Sequence, residues 1–269
     1  MTRWLHHNSQ DESGLHLPRI LCLHGGRSNV RIFRAQCRAL EKALRPWFRL
    51  CYAEAPFPSN PGPDVKSVYH AFGPFRTWID STNAILQDND TGATGPVVGL
   101  LGFGQGAKIC ASRILEQQLL DQAVNSQSGL LPQFHFAILF AAQGPLVTLS
   151  PLSVQADIMR KMKSTLMHDN TACIDCEDGK TNLVLTRELI RIPMVHVHGR
   201  QDPSLEQHQK LLYEYFDPQY ARVLESDSAH RAPLNPKDVA TLVQEIKLLC
   251  ASVSLRQVPV ARDFLYSTL

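Results

Sequence analysis

The sequence has almost no excess charge. Across 269 residues, 27 Lys and Arg stand against 25 Asp and Glu, a formal net charge of +2. A chain that holds nucleic acid or an acidic membrane surface by electrostatics carries a larger surplus, so neither partner is expected. No apolar run approaches the ~20 residues that a membrane-spanning helix needs. The opening residues, Met1-Thr2-Arg3-Trp4-Leu5-His6-His7-Asn8, lack the apolar stretch of a secretory signal. Internal repeats and low-complexity tracts are absent. The seven cysteines cannot all pair, and Cys22, Cys110 and Cys250 sit inside apolar runs. They read as buried thiols in a reducing compartment, not as a disulfide framework. A soluble, cytoplasmic protein is the expectation. With 44% apolar and 19% charged residues, the chain can bury one large core as a single domain.

What is present is an alternation of short apolar runs and amphipathic stretches. Strands are predicted at 19–24, 48–53, 97–103, 134–142, 191–198 and 221–224. Helices are predicted at 29–44, 75–86, 107–120, 206–216 and 237–250. Residues 1–17 read as a flexible leader and 251–269 as a C-terminal tail, around a domain spanning 18–250. The proline- and glycine-rich stretch 55–74 reads as a binding loop. Residues 145–190 read as an insertion over one end of the sheet, with a helical patch near 155–166. Strands alternating with helices predict an α/β fold: a mostly parallel central sheet with helices on both faces. Ligands bind such sheets beyond the carboxyl ends of the strands.

The chemistry-bearing residues fall at those ends. After the first strand comes His24-Gly25-Gly26-Arg27-Ser28. The central run Val97–Ile109 ends in Gly102-Phe103-Gly104-Gln105-Gly106, which frames a sharp strand-to-helix turn. In the nucleophile elbow G-x-S-x-G the central residue is the nucleophile; here it is Gly104. Asp202 follows a later strand within Gly199-Arg200-Gln201-Asp202-Pro203, and His230 follows the last within Ser228-Ala229-His230-Arg231. A nucleophile position, an acid and a histidine, in that order, suit acyl transfer. The imidazole takes a hydroxyl's proton, and the carboxylate fixes its tautomer. Backbone N–H groups of Gln105 and of Gly26 or Arg27 suit an oxyanion hole. His6, His7, His70, His135, His196 and His208 lack this context and read as structural or solvated.

These segments, together with Ile32-Phe33-Arg34-Ala35-Gln36, Pro61-Gly62-Pro63, the Trp78 region and His230-Arg231-Ala232-Pro233, resemble the fungal serine hydrolase family of α/β-hydrolases. That family includes stand-alone thiohydrolases that release polyketides from fungal synthases. The resemblance runs from about residue 18 to 250. It implies the α/β-hydrolase fold, an esterase or thioesterase activity, and a triad in which Asp202 and His230 match the acid and the base. It also implies a small-molecule or carrier-bound acyl substrate, with a polyketide synthase as a partner. Gly104 occupies the position that matches the serine. Glycine adopts a strained turn most easily, so the elbow and its N–H groups should persist while the hydroxyl is gone. Three accounts stand: an engineered trap, a natural enzyme with His230 repurposed for condensation, dehydration or cyclisation, and a degenerate binding module.

Other readings are open. Gly102-Phe103-Gly104-Gln105-Gly106-Ala107 also satisfies the dinucleotide fingerprint G-x-G-x-x-A, which would make the chain an NAD(P)-binding oxidoreductase. The acidic residue that fingerprint needs at the end of the next strand is missing, because that strand ends Phe140-Ala141-Ala142-Gln143. No cofactor is therefore expected. Cys173 and Cys176 have C-x-x-C spacing without a second pair, and no metal is expected. Ser28 and Cys110 are the candidate substitute nucleophiles. Phe57, Tyr69, Phe72, Phe75 and Trp78 are candidates to line an apolar acyl pocket, or to be core aromatics.

Overall fold

The apolar strands alternate cleanly between two cores. In β1 (Arg19–Leu23), Ile20 and Cys22 join one buried cluster while Leu21 and Leu23 join the other. In β6 (Phe136–Phe140), Phe136, Ile138 and Phe140 face the first, and Ala137 and Leu139 the second. A strand apolar on both faces must be covered on both, which is why these segments form the centre of a parallel sheet. The computed structural model describes residues 15–79, 94–123, 133–156, 189–232 and 235–252.

Six strands form the main sheet in the order β2-β1-β5-β6-β7-β8, every neighbouring pair parallel. The others are β2 (Arg49–Ala53), β5 (Val97–Phe103), β7 (Met194–Gly199) and β8 (Ala221–Ser226). Helix α1 (Val30–Leu44) lies on the first face with α6 (Pro236–Ser252). Asn29 caps α1 by accepting the Ile32 N–H at 2.9 Å. Helices α3 (Gln105–Ala123) and α5 (Leu205–Tyr215) cover the other face. The chain leaves β1 toward β2 and then returns to add β5 on the opposite side. The crevice at this switch in direction therefore opens between the loops that follow β1 and β5. Among the described residues, no helix is long and apolar enough to cross a membrane. The five described cysteines, Cys22, Cys37, Cys51, Cys110 and Cys250, are buried and form no disulfide.

Several boundaries differ from the sequence reading. The 75–86 segment does not begin as a helix. Phe75–Thr77 is strand β4, paired antiparallel with β3 (Phe57–Ser59). The two close the proline-rich loop as a ribbon, which supplies the hydrogen bonds that isolated backbone there would lack. Between them sits α2 (Pro63–Tyr69). Asn29 Nδ2 donates to the carbonyls of Phe72 and Pro74 at 2.7 and 2.8 Å, tying the loop to the start of α1. The leader ends earlier than residue 17, because Leu15 O accepts the N–H groups of Thr94 and Gly95. Helix α6 runs to Ser252, past the expected boundary at 250. Helix α4 opens at residue 151 and is described to 156; the rest of the expected 155–166 patch lies outside the described residues. Cys173 and Cys176, residues 80–86 and the remainder of the tail also lie outside them.

One core residue is unusual. His196 on β7 is fully buried, neither ring nitrogen has a hydrogen-bond partner, and the ring sits 4.5 Å from Phe216. Burial pulls its pKa down to about 3, with His198 and His208 adding in the same direction. The unfolded chain takes up this proton near pH 6.5 and the folded chain does not. Stability is therefore full above about pH 6.5 and falls as the pH drops toward the folded value. His196→Phe should flatten this acid slope, measured as Tm between pH 7 and 4; an unchanged slope would place the acid sensitivity elsewhere.

Candidate active site

The site begins with how α3 starts. The helix follows β5 with Gly104 alone between them, at φ +52°. L side chains are disfavoured there, and glycine adopts the region at no steric cost. The Gly104 N–H donates to Phe140 O at 2.8 Å, and Gly104 O accepts from the Lys108 N–H at 3.0 Å. The helix thus opens two residues earlier than the expected start at 107. Gly106 has no room for a side chain, since a Cβ there would drive into the carbonyl oxygens of Leu23 and His24. That close approach seats the first turn of α3 on the end of β1.

The β1 loop is locked against the same turn. His24 is buried, its Nδ1–H donates to Gly25 O at 2.7 Å, and its Nε2 meets both the Ala55 N–H at 3.1 Å and Glu54 Oε1 at 2.9 Å. Trp78 Nε1 donates to His24 O at 2.7 Å. Gln105 Oε1 accepts from Thr77 Oγ1 and the Trp78 N–H, each at 2.8 Å. Arg27 takes φ +61°, which reverses the chain after the double glycine. Gly26, Arg27 and Gln105 consequently line one cavity with Gly104. The first N–H groups of α3 have no carbonyl partner within the helix, so they remain as donors at this wall.

The acid and the histidine follow the ends of β7 and β8. Asp202 is 5% exposed, and its Oδ1 accepts the Ser204 N–H at 2.9 Å. His230 Nδ1 donates to Asp202 Oδ2 at 2.7 Å. The two loops are laced together. Gln201 N–H donates to Ser228 O, and the Arg200 side chain spans Glu225 and Asp227 at 3.1 and 2.8 Å. Phe103 packs edge-on against the His230 ring, with centroids 4.8 Å apart. The other ring nitrogen, Nε2, lies 3.8 Å from where a Cβ on Gly104 would stand, and among the described residues no other atom outside the adjoining Phe103 and Gln105 lies within 4 Å of that point. The strand ends thus bring Gly104, Asp202 and His230 together beside a cavity of about 650 Å³.

The expected aromatic wall differs. Tyr69 lines the cavity, and Phe57, Phe72, Phe75 and Trp78 do not. Trp78 is fully buried and serves as the brace under His24. Phe57 and Phe75 belong to the β3–β4 ribbon. Phe72 packs on Tyr69, with ring centroids 5.7 Å apart, and beneath the Arg31 guanidinium at 4.8 Å. Ser28 lines the cavity, while Cys110 is fully buried and burial raises its thiol pKa.

The sequence reading missed His208, which it placed among structural or solvated histidines. It is fully buried on α5, with Nε2 3.8 Å from Asp202 Oδ2 and 3.5 Å from Gln143 Nε2. Burial brings its pKa down to about 4 in spite of the Asp202 carboxylate, so a neutral imidazole backs the acid. The usable signal was spacing. His208, Leu211 and Tyr215 share the buried face of α5, which placed a histidine on the side of the helix that meets the sheet. Asp202, His208 and His230 also have the ligand atoms for a metal, all within 4.8 Å of one another. However, the 2.7 Å between His230 Nδ1 and Asp202 Oδ2 is a hydrogen-bond spacing. Two ligands of a tetrahedral zinc stand roughly 3.3 Å apart.

A parallel sheet that presents a glycine-framed elbow, then an acid, then a histidine, in that chain order at its strand ends, defines an α/β-hydrolase. The chain belongs to the serine hydrolase (FSH1) family, whose profile matches residues 14–242. It is 59% identical over 273 residues to the esterase tropF of Talaromyces stipitatus, covering 94% of this chain and 89% of that protein. It is 45% identical over 260 residues to the esterase pigG of Monascus ruber, covering 88% and 93%. Among solved structures, esterase PE8 is 17% identical with a TM-score of 0.46, covering 88% of this chain and 94% of that one.

The two inner glycines of the elbow should respond differently to substitution. Gly106→Ala forces its methyl into backbone oxygens and should cost about 1–3 kcal/mol or more. Gly104→Ser enters open space and should cost about 1 kcal/mol, the conformational penalty alone. Thermal unfolding of the two variants checks this. Equal losses would contradict the described packing around Gly106.

Proposed function

We propose that this chain is an esterase or thiohydrolase scaffold for an acyl ester or thioester, serving fungal polyketide or related secondary metabolism, with Gly104 at the nucleophile position. His230 is the base, Asp202 fixes its tautomer and steadies its positive charge, and N–H groups at Gln105 and at Gly26 or Arg27 polarise the substrate carbonyl. The observation that carries this reading is the 3.8 Å between His230 Nε2 and a Cβ on Gly104. One further bond brings a serine hydroxyl within hydrogen-bond reach of that nitrogen. Family membership and the esterase names of the relatives support the hydrolytic class.

With a hydroxyl at this point the steps follow directly. The oxygen attacks the acyl carbon as His230 Nε2 takes its proton. The departing alcohol or thiol receives that proton, and water then repeats the sequence on the acyl-enzyme. With glycine no covalent acyl-enzyme forms here. His230 is left to act on water or on an acidic C–H of the substrate itself. The second outcome is a non-hydrolytic condensation, dehydration or cyclisation. It is favoured by the intact 2.7 Å Asp202–His230 pair standing beside a residue with no hydroxyl. A binding module without chemistry is the third reading. By analogy with triad-deleted proteases, the remaining groups retain roughly 10³–10⁴-fold over water.

Acyl-thioester and ester hydrolysis should be measured for the native chain and for Gly104→Ser, each with and without His230→Ala. Gly104→Ser should exceed the native chain by at least about a hundredfold, and His230→Ala should abolish the gain. A native chain as fast as Gly104→Ser would overturn the assignment of Gly104.

A further inference from the structure

Among the described side chains, the cavity beside Gly104 gathers positive charge without a matching carboxylate. Arg27, Lys108 and Arg231 line it, and among the described side chains no carboxylate does. The chain as a whole is nearly neutral, so this imbalance is local. Elsewhere arginines find acidic partners: Arg200 with Glu225 and Asp227, Arg222 with Glu245, Arg191 with Asp217. Among the described residues, none of the three cavity cations has an acid within ion-pair distance. Asp202, the nearby buried acid, is already committed to His230 and to the Ser204 N–H.

Lys108 is the most telling of the three. It stands four residues after Gly104, so both belong to the same side of the first turn of α3. Its ammonium has three donors, and its one described side-chain bond is a long one, 3.4 Å to Gly144 O. The side chain is half-buried, and burial lowers its pKa, as expected for a cation taken from water without a counter-charge. Arg27 and Arg231 are exposed at the mouth, on the oxyanion loop and directly after His230. Four neutral amides, Gln36, Gln105, Gln143 and Gln201, supply much of the polar lining. These groups hydrogen-bond oxygen-bearing parts of a ligand, beside apolar surface from Val65, Val68, Tyr69 and Phe103. The 650 Å³ volume fits a small molecule.

We propose that the cavity selects an anionic acyl ester or thioester, whose negative charge is paired by Lys108 together with Arg27 and Arg231. The identity of the scissile bond rests on the acyl-hydrolase reading; the preference for an anion rests on the cavity alone. The charge has two sources of shared chemistry. It is an ionised group on the acyl portion, or the phosphate of a pantetheine-type arm that carries it.

Binding to the full native chain tests this without requiring turnover. Calorimetric titration would use amide probes that resist hydrolysis: N-butyl para-carboxybenzamide, its neutral para-carbamoyl isostere, and a benzoyl amide of a pantetheine phosphate. The carboxylate or the phosphate probe should bind at least about tenfold tighter than the carbamoyl probe at low salt. The preference should shrink with added salt and be lost in Lys108→Met. Preference for the carboxylate places the charge on the acyl group; preference for the phosphate alone places it on the carrier arm. Equal affinity for all three probes would overturn the proposal, as would a preference unchanged by Lys108→Met. If Lys108→Met does not fold, the double variant Arg27→Gln, Arg231→Gln decides by the same readout. The two readings fail separately. Turnover of neutral esters by Gly104→Ser with no anion preference keeps the hydrolase and removes the anion site. Anion preference with no turnover by Gly104→Ser does the reverse.

Discussion

The seating of helix α3 directly on the end of strand β5 is the constraint on which the rest of the site depends. With a single residue between strand and helix, the backbone must turn through a positive φ at Gly104. The first helical turn must also pass within contact of the β1 carbonyls, which Gly106 permits. The same turn brings the N-terminus of α3 to the crevice where the sheet changes direction, beside the double-glycine loop. The bracing of that loop by His24, Trp78 and the Gln105 side chain is a rigid buried network, and its hydrogen bonds are satisfied at both ends.

The second half of the site is a charge arrangement in a dry setting. A buried carboxylate needs compensation, and Asp202 obtains it from a backbone N–H on one oxygen and His230 on the other. His208 adds a neutral ring that keeps water from the carboxylate, which strengthens its bond to His230. Beyond this pair the charge reverses. The described side chains of the cavity present three cations and neutral amides beside a helix N-terminus, an arrangement that favours negative charge on whatever enters. A developing oxyanion and a permanently anionic substrate are both served by that field.

Much of this was legible in the residues. The alternation of apolar runs marked the sheet, and the strand-end positions of Gly104, Asp202 and His230 marked where a candidate site would gather, because a parallel sheet collects its strand ends on one edge. The proline-rich stretch was harder. Its prolines and glycines signalled a loop, but pairing of Phe57–Ser59 with Phe75–Thr77 is a long-range contact that local pattern does not reveal. The aromatics of that stretch were read by type, and their partners decided otherwise: Trp78 was drawn inward by a carbonyl acceptor on His24. His208 was hidden for a related reason. Its helical spacing marked a buried face, yet the neighbour that gives it meaning lies on another turn of chain.

The central claim is that the molecule is organised around a nucleophile position whose side chain is reduced to hydrogen. The most direct measurement is covalent labelling of the intact chain by a fluorophosphonate, which reacts with a serine activated by a neighbouring histidine, read as a mass increase. The account predicts no label on the native chain, one label on Gly104→Ser at residue 104, and loss of that label when His230→Ala is added. A labelled native chain, or a Gly104→Ser variant that folds yet stays unlabelled, would contradict it.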